Sequence, residues 1–180
     1  MRIIAGVHKG RRLKTPAWAG LRPTSDKLRE TLFNILQQRI AGARVLDVFA
    51  GTGAVALEAL SRGASGATCI DSDRRAAALI AENAALCRER ERCVIIRDNA
   101  SHALQAPLPG GPFDIIVLDP PYEYAQLAEA VRDAESQRAE GGVVVLEHAS
   151  RVAPPPPDGR MLMRLTRTLT SGDSALSFYS

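Results

Sequence analysis

The stretch Val45-Leu-Asp-Val-Phe-Ala-Gly-Thr-Gly-Ala54 decides the fold class of this chain. It begins as an apolar run, passes through a turn that contains Gly51 and Gly53, and leads into a helical pattern. Glycine at such a turn lets the backbone approach a ligand closely. With Ala56, the two glycines match the G-x-G-x-x-[GA] pattern of dinucleotide-binding folds, and Asp71 follows 20 residues after Gly51. The stretch predicts a strand, a ligand-facing turn and a helix.

Short apolar runs alternate with helical patterns from this stretch onward. The runs are continuous, which is typical of parallel strands that helices cover on both faces. Strands that alternate with helices predict an α/β fold with a parallel sheet and crossover connections. The five strands predicted for the centre of the sheet span residues 44–48, 67–70, 93–96, 113–118 and 142–146.

Helices are predicted where apolar positions share one helical face. A helix ahead of the sheet starts after residues 22–26, which read as an N-terminal cap, and carries Leu28, Leu32, Ile35 and Leu36 on one face. The crossover helices carry Leu79, Ile80, Asn83, Leu86 and Cys87 in the first, and Tyr124, Leu127, Ala128, Val131 and Ala134 in the second.

Both ends of the chain predict hairpins. Arg2-Ile-Ile and Arg12-Leu-Lys, with Gly6 and Gly10 between them, predict a small basic β-hairpin. After a stiff proline connector, apolar residues flank the turn signal Ser171-Gly-Asp-Ser174. We therefore expect a mostly parallel sheet of about seven strands with a C-terminal antiparallel hairpin. We divide the chain into a basic hairpin extension, 1–21, and one domain, 22–180.

Composition limits the class of protein. A chain of 180 residues with 46% hydrophobic and 24% charged residues is typical of one compact globular domain. It shows neither a membrane-spanning apolar stretch nor, at Met1–Gly10, the apolar core of a signal peptide, so we expect a cytoplasmic protein without a membrane partner. Cys69, Cys87 and Cys93 show no CxxC spacing, so we expect three buried thiols and no metal site.

Charge is concentrated at the start of the chain. Residues 1–29 carry eight Lys or Arg and one acidic residue, Asp26, although the whole chain has a net charge of only +3. A basic arm on a mildly acidic body indicates a polyanionic partner, because each Lys or Arg at a phosphate releases condensed counterions. A solvated charged edge would show the same pattern.

The motif Asp119-Pro-Pro-Tyr122 follows the apolar strand that ends at Leu118 and carries the most specific chemistry. Prolines lack an N–H, so the Asp119 carboxylate and the Pro120 carbonyl are acceptors for both hydrogens of a planar amino group. Two such acceptors favour the pyramidal geometry that frees the delocalised lone pair of that amine. Tyr122 offers a stacking face for a base. This arrangement predicts in-line methyl transfer from a sulfonium donor to an exocyclic nitrogen.

Two further polar groups follow strands of the predicted sheet. A carboxylate at Asp71 can accept hydrogen bonds from both hydroxyls of a ribose, whereas Asp73 falls in a first helical turn, where an acid is favourable anyway. Asp98-Asn99-Ala100 offers polar groups for an adenine at the same edge. Loop polarity and helix capping are the alternative interpretations of these residues.

Phe49-Ala-Gly-Thr-Gly53 and Asp119-Pro-Pro-Tyr122 resemble the donor-binding and catalytic motifs of class I S-adenosylmethionine-dependent amino-methyltransferases, which have a Rossmann-like fold. Within that class the chain resembles the RsmD-type enzymes over nearly its whole length. The matching stretches are Arg2-Ile-Ile-Ala-Gly6, Lys9-Gly-Arg-Arg-Leu13, Arg22-Pro-Thr-Ser-Asp-Lys-Leu-Arg-Glu-Thr-Leu-Phe-Asn34, Leu57-Glu-Ala-Leu-Ser-Arg-Gly63 and Gly172-Asp-Ser-Ala-Leu176.

The resemblance implies roles for particular residues. Asn99 ranks before Asp98 as the adenine contact, since the family has one acid or amide before that alanine, and Asp71 stands where many relatives carry Glu. The implied catalytic residues are Asp119, Pro120, Pro121 and Tyr122. The implied cofactor-binding residues are Arg22, Pro23, Thr24, Asp47, Phe49, Ala50, Gly51, Thr52, Gly53, Asp71, Ser72, Asp98, Asn99 and Ala100. The RNA-binding residues expected in the arm are Arg2, Lys9, Arg11, Arg12 and Lys14.

The same resemblance implies a function. RsmD-type enzymes methylate the N2 amine of one guanine in bacterial 16S ribosomal RNA within the small subunit, using S-adenosyl-L-methionine and releasing S-adenosyl-L-homocysteine. We expect that reaction here, without a metal and by a monomer. Three alternatives stay open: an amino-methyltransferase for another base, such as adenine N6 in DNA; a nicotinamide-dependent oxidoreductase that uses Gly51, Gly53, Ala56 and Asp71; and a non-catalytic RNA-binding module.

Overall fold

The computed structural model describes residues 1–16, 18, 26–157, 159 and 161–180. The helices within them are α1 (Asp26–Ile40), α2 (Ala54–Ser61), α3 (Arg74–Cys87), α4 (Ala100–Ala103) and α5 (Leu127–Glu135). The strands are β1 (Arg44–Val48), β2 (Gly66–Ile70), β3 (Cys93–Ile96), β4 (Phe113–Leu118), β5 (Arg138–Ala149), β6 (Leu165–Ser171) and β7 (Ser174–Tyr179).

The seven strands form one sheet in the order β3-β2-β1-β4-β5-β7-β6. The first five of these strands are parallel, and β7 pairs antiparallel with both β5 and β6. The predicted α/β fold with a closing antiparallel hairpin is therefore confirmed. The chain reverses its winding direction between β1 and β4, and ligands of open α/β sheets bind outside the carboxyl ends of strands at such a reversal.

Both faces of the sheet are buried, which explains the continuous apolar runs. Along β1 and β4, Val45, Ile115 and Val117 pack on the face covered by α1 and α2. Leu46, Ile116 and their neighbours pack on the opposite face, with α4 and α5. Every residue of α2 is buried, because this helix lies between the sheet, α1 and the N-terminal hairpin. Cys69, Cys87 and Cys93 are buried free thiols, as predicted.

Several predictions about the helices and strands were wrong in detail. Leu86 is 39% exposed, because the buried face of α3 passes through its neighbour Cys87 instead. Tyr124 lies before α5 rather than in it, and Ala128 is exposed, because the buried face of α5 consists of Ala130, Val131 and Ala134. Strand β5 extends beyond 142–146 at both ends, since β7 pairs with its second half.

The predicted N-terminal hairpin is present and packs on the domain. Arg2 and Arg12 form an antiparallel bridge, and the Ile3 N–H donates to the Arg11 carbonyl at 3.0 Å. Ile3 and Leu13 are buried in the same core cluster as α1 and α2. The predicted helix cap at 22–25 lies outside the described residues, and the boundary at residue 21 stays a prediction.

A buried carboxylate on α2 holds this hairpin in place. Glu58 is fully buried, and its two oxygens accept hydrogen bonds from the backbone N–H groups of Ile4, at 2.7 Å, and Ala5, at 2.9 Å. Arg62 also donates to Glu58 at 2.7 Å. The fully buried Arg29 lies with its Nε 4.0 Å from Glu58 and donates to the Arg2 carbonyl at 2.6 Å. Backbone hydrogen bonds and ion pairs thus attach the N-terminal hairpin to α1 and α2.

Replacing Glu58 by glutamine is expected to lower the free energy of unfolding by about 3 to 5 kcal/mol, because Arg62 and the buried Arg29 lose the buried charge that they share, and Arg29 keeps only the exposed Asp26 at 3.0 Å. An amide group would also place a donor against one of the two backbone N–H groups. Urea denaturation measures the loss. The matched control is Glu82→Gln, which removes the exposed pair with Lys14 that also links hairpin and domain. That pair is worth at most about 1 kcal/mol. Equal losses in both variants would contradict the role of Glu58.

Candidate active site

A cavity of about 620 Å³ lies at the carboxyl ends of the central strands. Its size is typical of a site for a small molecule. It brings together eleven of the eighteen predicted catalytic and cofactor-binding residues: Asp47 in β1, Phe49, Ala50, Gly51 and Thr52 after β1, Asp71 and Ser72 after β2, and Asp119, Pro120, Pro121 and Tyr122 after β4. Strands far apart in sequence therefore supply one site.

The turn after β1, residues 49–53, has a left-handed backbone at several positions. Phe49 has a φ of 65°, which is rare for an aromatic residue and costs energy. The Phe49 ring meets Tyr124 edge to face, with 5.1 Å between ring centroids. Gly53 is the N-cap of α2, and a Cβ there would come 3.0 Å from Ile80. Gly53 thus serves close packing behind the turn and is not among the residues that line the cavity.

Asp71, which follows the neighbouring strand β2, makes a hydrogen bond to this turn. One of its carboxylate oxygens accepts from the Gly51 N–H at 2.9 Å, and the other accepts from the Asp73 N–H at 2.9 Å. Asp73 instead caps α3, accepting from the Arg75 N–H at 2.7 Å, and its ion pair with Arg75 lowers the pKa of Asp73. Each Asp71 oxygen keeps a further lone pair, so the geometry favours Asp71 over Asp73 as the ligand-binding acid.

The residues after β3 are near this edge but do not line the cavity. Asn99 caps α4 by accepting from the Ser101 N–H at 3.0 Å. Asp98 lies 2.6 Å from His102 Nδ1, and this contact lowers the pKa of Asp98. Ala100 is buried in the core. Their hydrogen bonds are local, since Asn99 caps α4 and Asp98 pairs with His102, and an adenine contact by these three residues stays a prediction.

Hydrogen bonds to β1 and to β7 fix the position of the motif at residues 119–122. The Asp119 N–H donates to the Val48 carbonyl at 3.3 Å, which joins the motif to β1. The Tyr122 hydroxyl lies 2.6 Å from Ser174 Oγ, at the start of β7. Pro120 is buried, whereas Asp119 and Tyr122 are half-buried. The C-terminal hairpin therefore fixes the ring of Tyr122 at the cavity wall.

Sequence reasoning missed several cavity residues. The turn pattern at 171–174 predicts only a hairpin, but Ser171, Asp173 and Ser174 also line the cavity. Glu147 also lines it, although it is only 7% exposed, and the sole signal in the sequence is an acid directly after the apolar run 142–146. The remaining lining residues that were missed are Met1, Pro16, Trp18, Ala54, Val55, Arg75 and Glu123, and Asp73, which the sequence ranks after Asp71, also lines the cavity.

The cavity is strongly acidic. Seven of its lining residues are Asp or Glu, and one is Arg. Asp47 is almost fully buried and accepts from the Ala56 N–H at 3.1 Å. Burial raises the pKa of Asp47 well above its ordinary value; the Ala56 hydrogen bond opposes this shift, and the charges of Asp119 and Asp71 add to it. Such a cavity favours a ligand that carries positive charge.

Replacing Asp47 by asparagine is expected to raise the melting temperature, and to raise it more at about pH 8 than at about pH 4. Because the pKa of Asp47 is higher in the folded chain, the stability that its neutral form contributes is lost as the pH rises above the ordinary value of 3.8. Asparagine does not ionise, so the variant does not lose stability in this way as the pH rises. Scanning calorimetry of both proteins at the two pH values measures the difference, and an equal change at both would contradict it.

The predicted RNA-binding residues lie outside the cavity, on the N-terminal hairpin. Lys14 pairs with Glu82 at 2.8 Å, and the guanidinium of Arg11 donates to the Leu86 carbonyl near the end of α3. The side chains of Arg2, Lys9 and Arg12 are exposed. The predicted cofactor-binding residues Arg22, Pro23 and Thr24 lie outside the described residues.

The described residues contain no helix that is long and apolar enough to cross a membrane. In the same part of the chain, no three His, Cys, Asp or Glu side chains are grouped so that they could hold a metal ion.

The sheet order, the antiparallel β7 and the cavity beside β1 and β4 define a Rossmann-like fold of the kind found in methyltransferases. The chain belongs to the family described as Conserved hypothetical protein 95, whose model matches residues 1–180, and this confirms the resemblance to RsmD-type enzymes.

Similar proteins come from several bacteria. The ribosomal RNA small subunit methyltransferase D of Escherichia coli strain K12 is 43% identical over 131 residues, which are 73% of this chain and 65%, or less than two thirds, of that protein. The Bacillus subtilis protein YlbH is 35% identical over 182 residues, 99% of this chain and 98% of YlbH. Among solved structures, the Escherichia coli protein yhhF has a TM-score of 0.84 at 36% identity and covers 99% of this chain and 96% of its own.

Proposed function

We propose that this protein transfers the methyl group of S-adenosyl-L-methionine to the exocyclic N2 amine of a guanine in 16S ribosomal RNA, within the small ribosomal subunit. The observation that carries the proposal is one cavity lined by both the Asp119–Tyr122 motif and the turn after β1 with Asp71. The named activity of the Escherichia coli relative supports a ribosomal RNA substrate.

The residues present fit such a donor. A cavity with seven carboxylates attracts a sulfonium and an ammonium group. Phe49 to Thr52 would face the methionine part with Asp47, and Asp71 would accept from the ribose hydroxyls. Arg22, Pro23 and Thr24 would close over the donor, and Asn99 would contact adenine. When bound, the donor supplies a methyl group that its sulfonium sulfur makes electrophilic.

The motif at 119–122 would prepare the acceptor amine. The Asp119 carboxylate and the Pro120 carbonyl accept its two hydrogens, which turns the lone pair out of the base plane. Tyr122, held by Ser174 at 2.6 Å, stacks on the base. Positioning and electrostatics supply the rate enhancement, so no covalent intermediate is required. Either Asp119 or water takes the proton that the amine loses.

The basic hairpin would bind the RNA backbone. Exposed Lys9 and Arg12 suit phosphates and carry no base specificity, and the target base must leave its stack to enter the cavity. Since the substrate would be a ribosomal particle, we also propose that the enzyme acts in the cytoplasm and as a monomer. Light scattering of the purified protein tests the monomer.

One experiment tests this function directly. Small subunits assembled from unmodified 16S RNA are incubated with the protein and labelled S-adenosyl-L-methionine, and the labelled nucleotide is mapped by mass spectrometry. We expect one N2-methylguanosine. Calorimetry with S-adenosyl-L-homocysteine and with NAD tests the oxidoreductase alternative, because binding of NAD alone would overturn methyl transfer. A label on adenine N6 or cytosine N4 would support methyl transfer to an exocyclic amine and would contradict guanine as the target base.

A further inference from the structure

We infer that Glu147 is the residue that selects guanine, by accepting a hydrogen bond from the N1–H beside the N2 amine. This inference rests on the proposed function and deepens it. The motif at 119–122 can present any exocyclic amine to a methyl donor, so a further group must distinguish one base from another.

Glu147 lies where the acceptor base must enter. In the pairing of β4 with β5, Leu118 is opposite Leu146, so the next residues, Asp119 and Glu147, are neighbours across the two strands. Neighbouring strands are about 4.8 Å apart. Both residues line the cavity. The two carboxylates therefore lie on the same side of the cavity, at adjacent strands.

Strand β7 pairs with β5 on the side opposite to β4. Glu147 is opposite Leu176 of β7, and Ser174, at the start of β7, holds the Tyr122 hydroxyl at 2.6 Å. The cavity thus has one half formed after β1 and β2, with Asp71, and one half formed by β4, β5 and β7, with Glu147. The motif at 119–122 follows β4, the strand of the second half that is next to β1 in the sheet.

The chemistry of the bases decides what Glu147 can read. In guanine, the N2 amine is next to N1–H, so two neighbouring donors meet two neighbouring carboxylates. In adenine the N6 amine is next to the N1 lone pair, and in cytosine the N4 amine is next to the N3 lone pair. A buried carboxylate repels such a lone pair, and a site built to accept a hydrogen bond strongly rejects a ligand that lacks the donor.

The position of Glu147 makes this selection strong. The residue is only 7% exposed, so water competes little for its oxygens. A hydrogen bond to a charged group is stronger where water is excluded, so guanine gains at Glu147 an interaction that a base without N1–H cannot make.

The test combines one substitution with one altered base. Glu147→Gln keeps the shape of the side chain and can donate to a lone pair. After the target has been mapped, a small subunit is assembled with 2-aminopurine at that nucleotide, which keeps the N2 amine and lacks N1–H. We expect Glu147→Gln to lower kcat/KM on the guanine particle by about 10- to 100-fold, as loss of a hydrogen bond to a charged group predicts.

The kcat/KM of the wild-type enzyme should be lower by a similar factor on the 2-aminopurine particle than on the guanine particle. On the 2-aminopurine particle, Glu147→Gln should have the same kcat/KM as the wild type. This coupling separates recognition of N1–H from a structural role, because a structural defect would lower both substrates equally. Affinity for S-adenosyl-L-homocysteine should stay within about twofold of wild type, since Glu147 lies in the other half of the cavity. The matched control is Glu140→Gln, the same change at the exposed, opposite end of β5.

The outcomes separate this inference from the proposed function. If the wild-type enzyme labels guanine N2 and Glu147→Gln stays within about twofold of its rate, the inference alone is overturned. Equal turnover of the guanine and 2-aminopurine particles by the wild-type enzyme would overturn it as well. A label on adenine or cytosine would overturn both the inference and the guanine target.

Discussion

The Asp119→Ala variant is expected to lose methyl transfer by about 1,000-fold, while its affinity for S-adenosyl-L-homocysteine stays close to that of the wild type. The carboxylate would act on the acceptor amine, in the half of the cavity formed by β4, β5 and β7, and Asp71 in the other half keeps its backbone contacts with Gly51 and Asp73. Loss of an interaction made in the transition state lowers kcat and leaves ligand binding intact.

Asp119→Asn separates the two duties of this side chain. Asparagine still offers one carbonyl oxygen to the amine but cannot take a proton at neutral pH. Activity well above that of Asp119→Ala would assign the proton to water. The control is Glu129→Ala, at an exposed position of α5. Full methyl incorporation by Asp119→Ala, measured on unmodified small subunits, would remove Asp119 from the mechanism.

The second large effect is expected from the hairpin. Reversing the charge of Lys9 and Arg12 together should weaken binding to the small subunit by about 10- to 100-fold and reduce the slope of log affinity against log salt by about 2. Both side chains are exposed, whereas Arg11 is engaged with the Leu86 carbonyl and Lys14 with Glu82. Lys9 and Arg12 are thus better suited to phosphates than their two neighbours.

The control for the hairpin has the same change in net charge. Arg164 and Arg167 are exposed, before and on the edge strand β6. Their double reversal should leave the salt slope unchanged. Binding is measured by filter retention of labelled particles over a salt series. Equal weakening by both pairs would show a general charge effect and would contradict a hairpin contact.

Much of the candidate site could be predicted because its parts are local in sequence. The turn after β1 needs its glycines within one short stretch, and the Asp119 motif follows directly on a strand. Other residues could be read in two ways. Asp98 and Asn99 are predicted to contact adenine, and in the structure their side chains also contact His102 and Ser101. An acid or amide after a strand serves equally well as a cap for the next helix, and the sequence pattern is the same for both.

The amino-acid sequence by itself determined the α/β sheet, the order of strands and crossover helices along the chain, and the two motifs that meet at the carboxyl edge. It did so because burial on both faces produces continuous apolar runs, and because prolines restrict the backbone locally whereas glycines permit a positive φ. Only the tertiary structure decided that Glu147 and Ser174 reach the same cavity as Asp119. Their approach depends on the pairing of β5 with β4 and β7. Periodicity along one strand reports that a side chain is buried, but not which distant residue it is buried against.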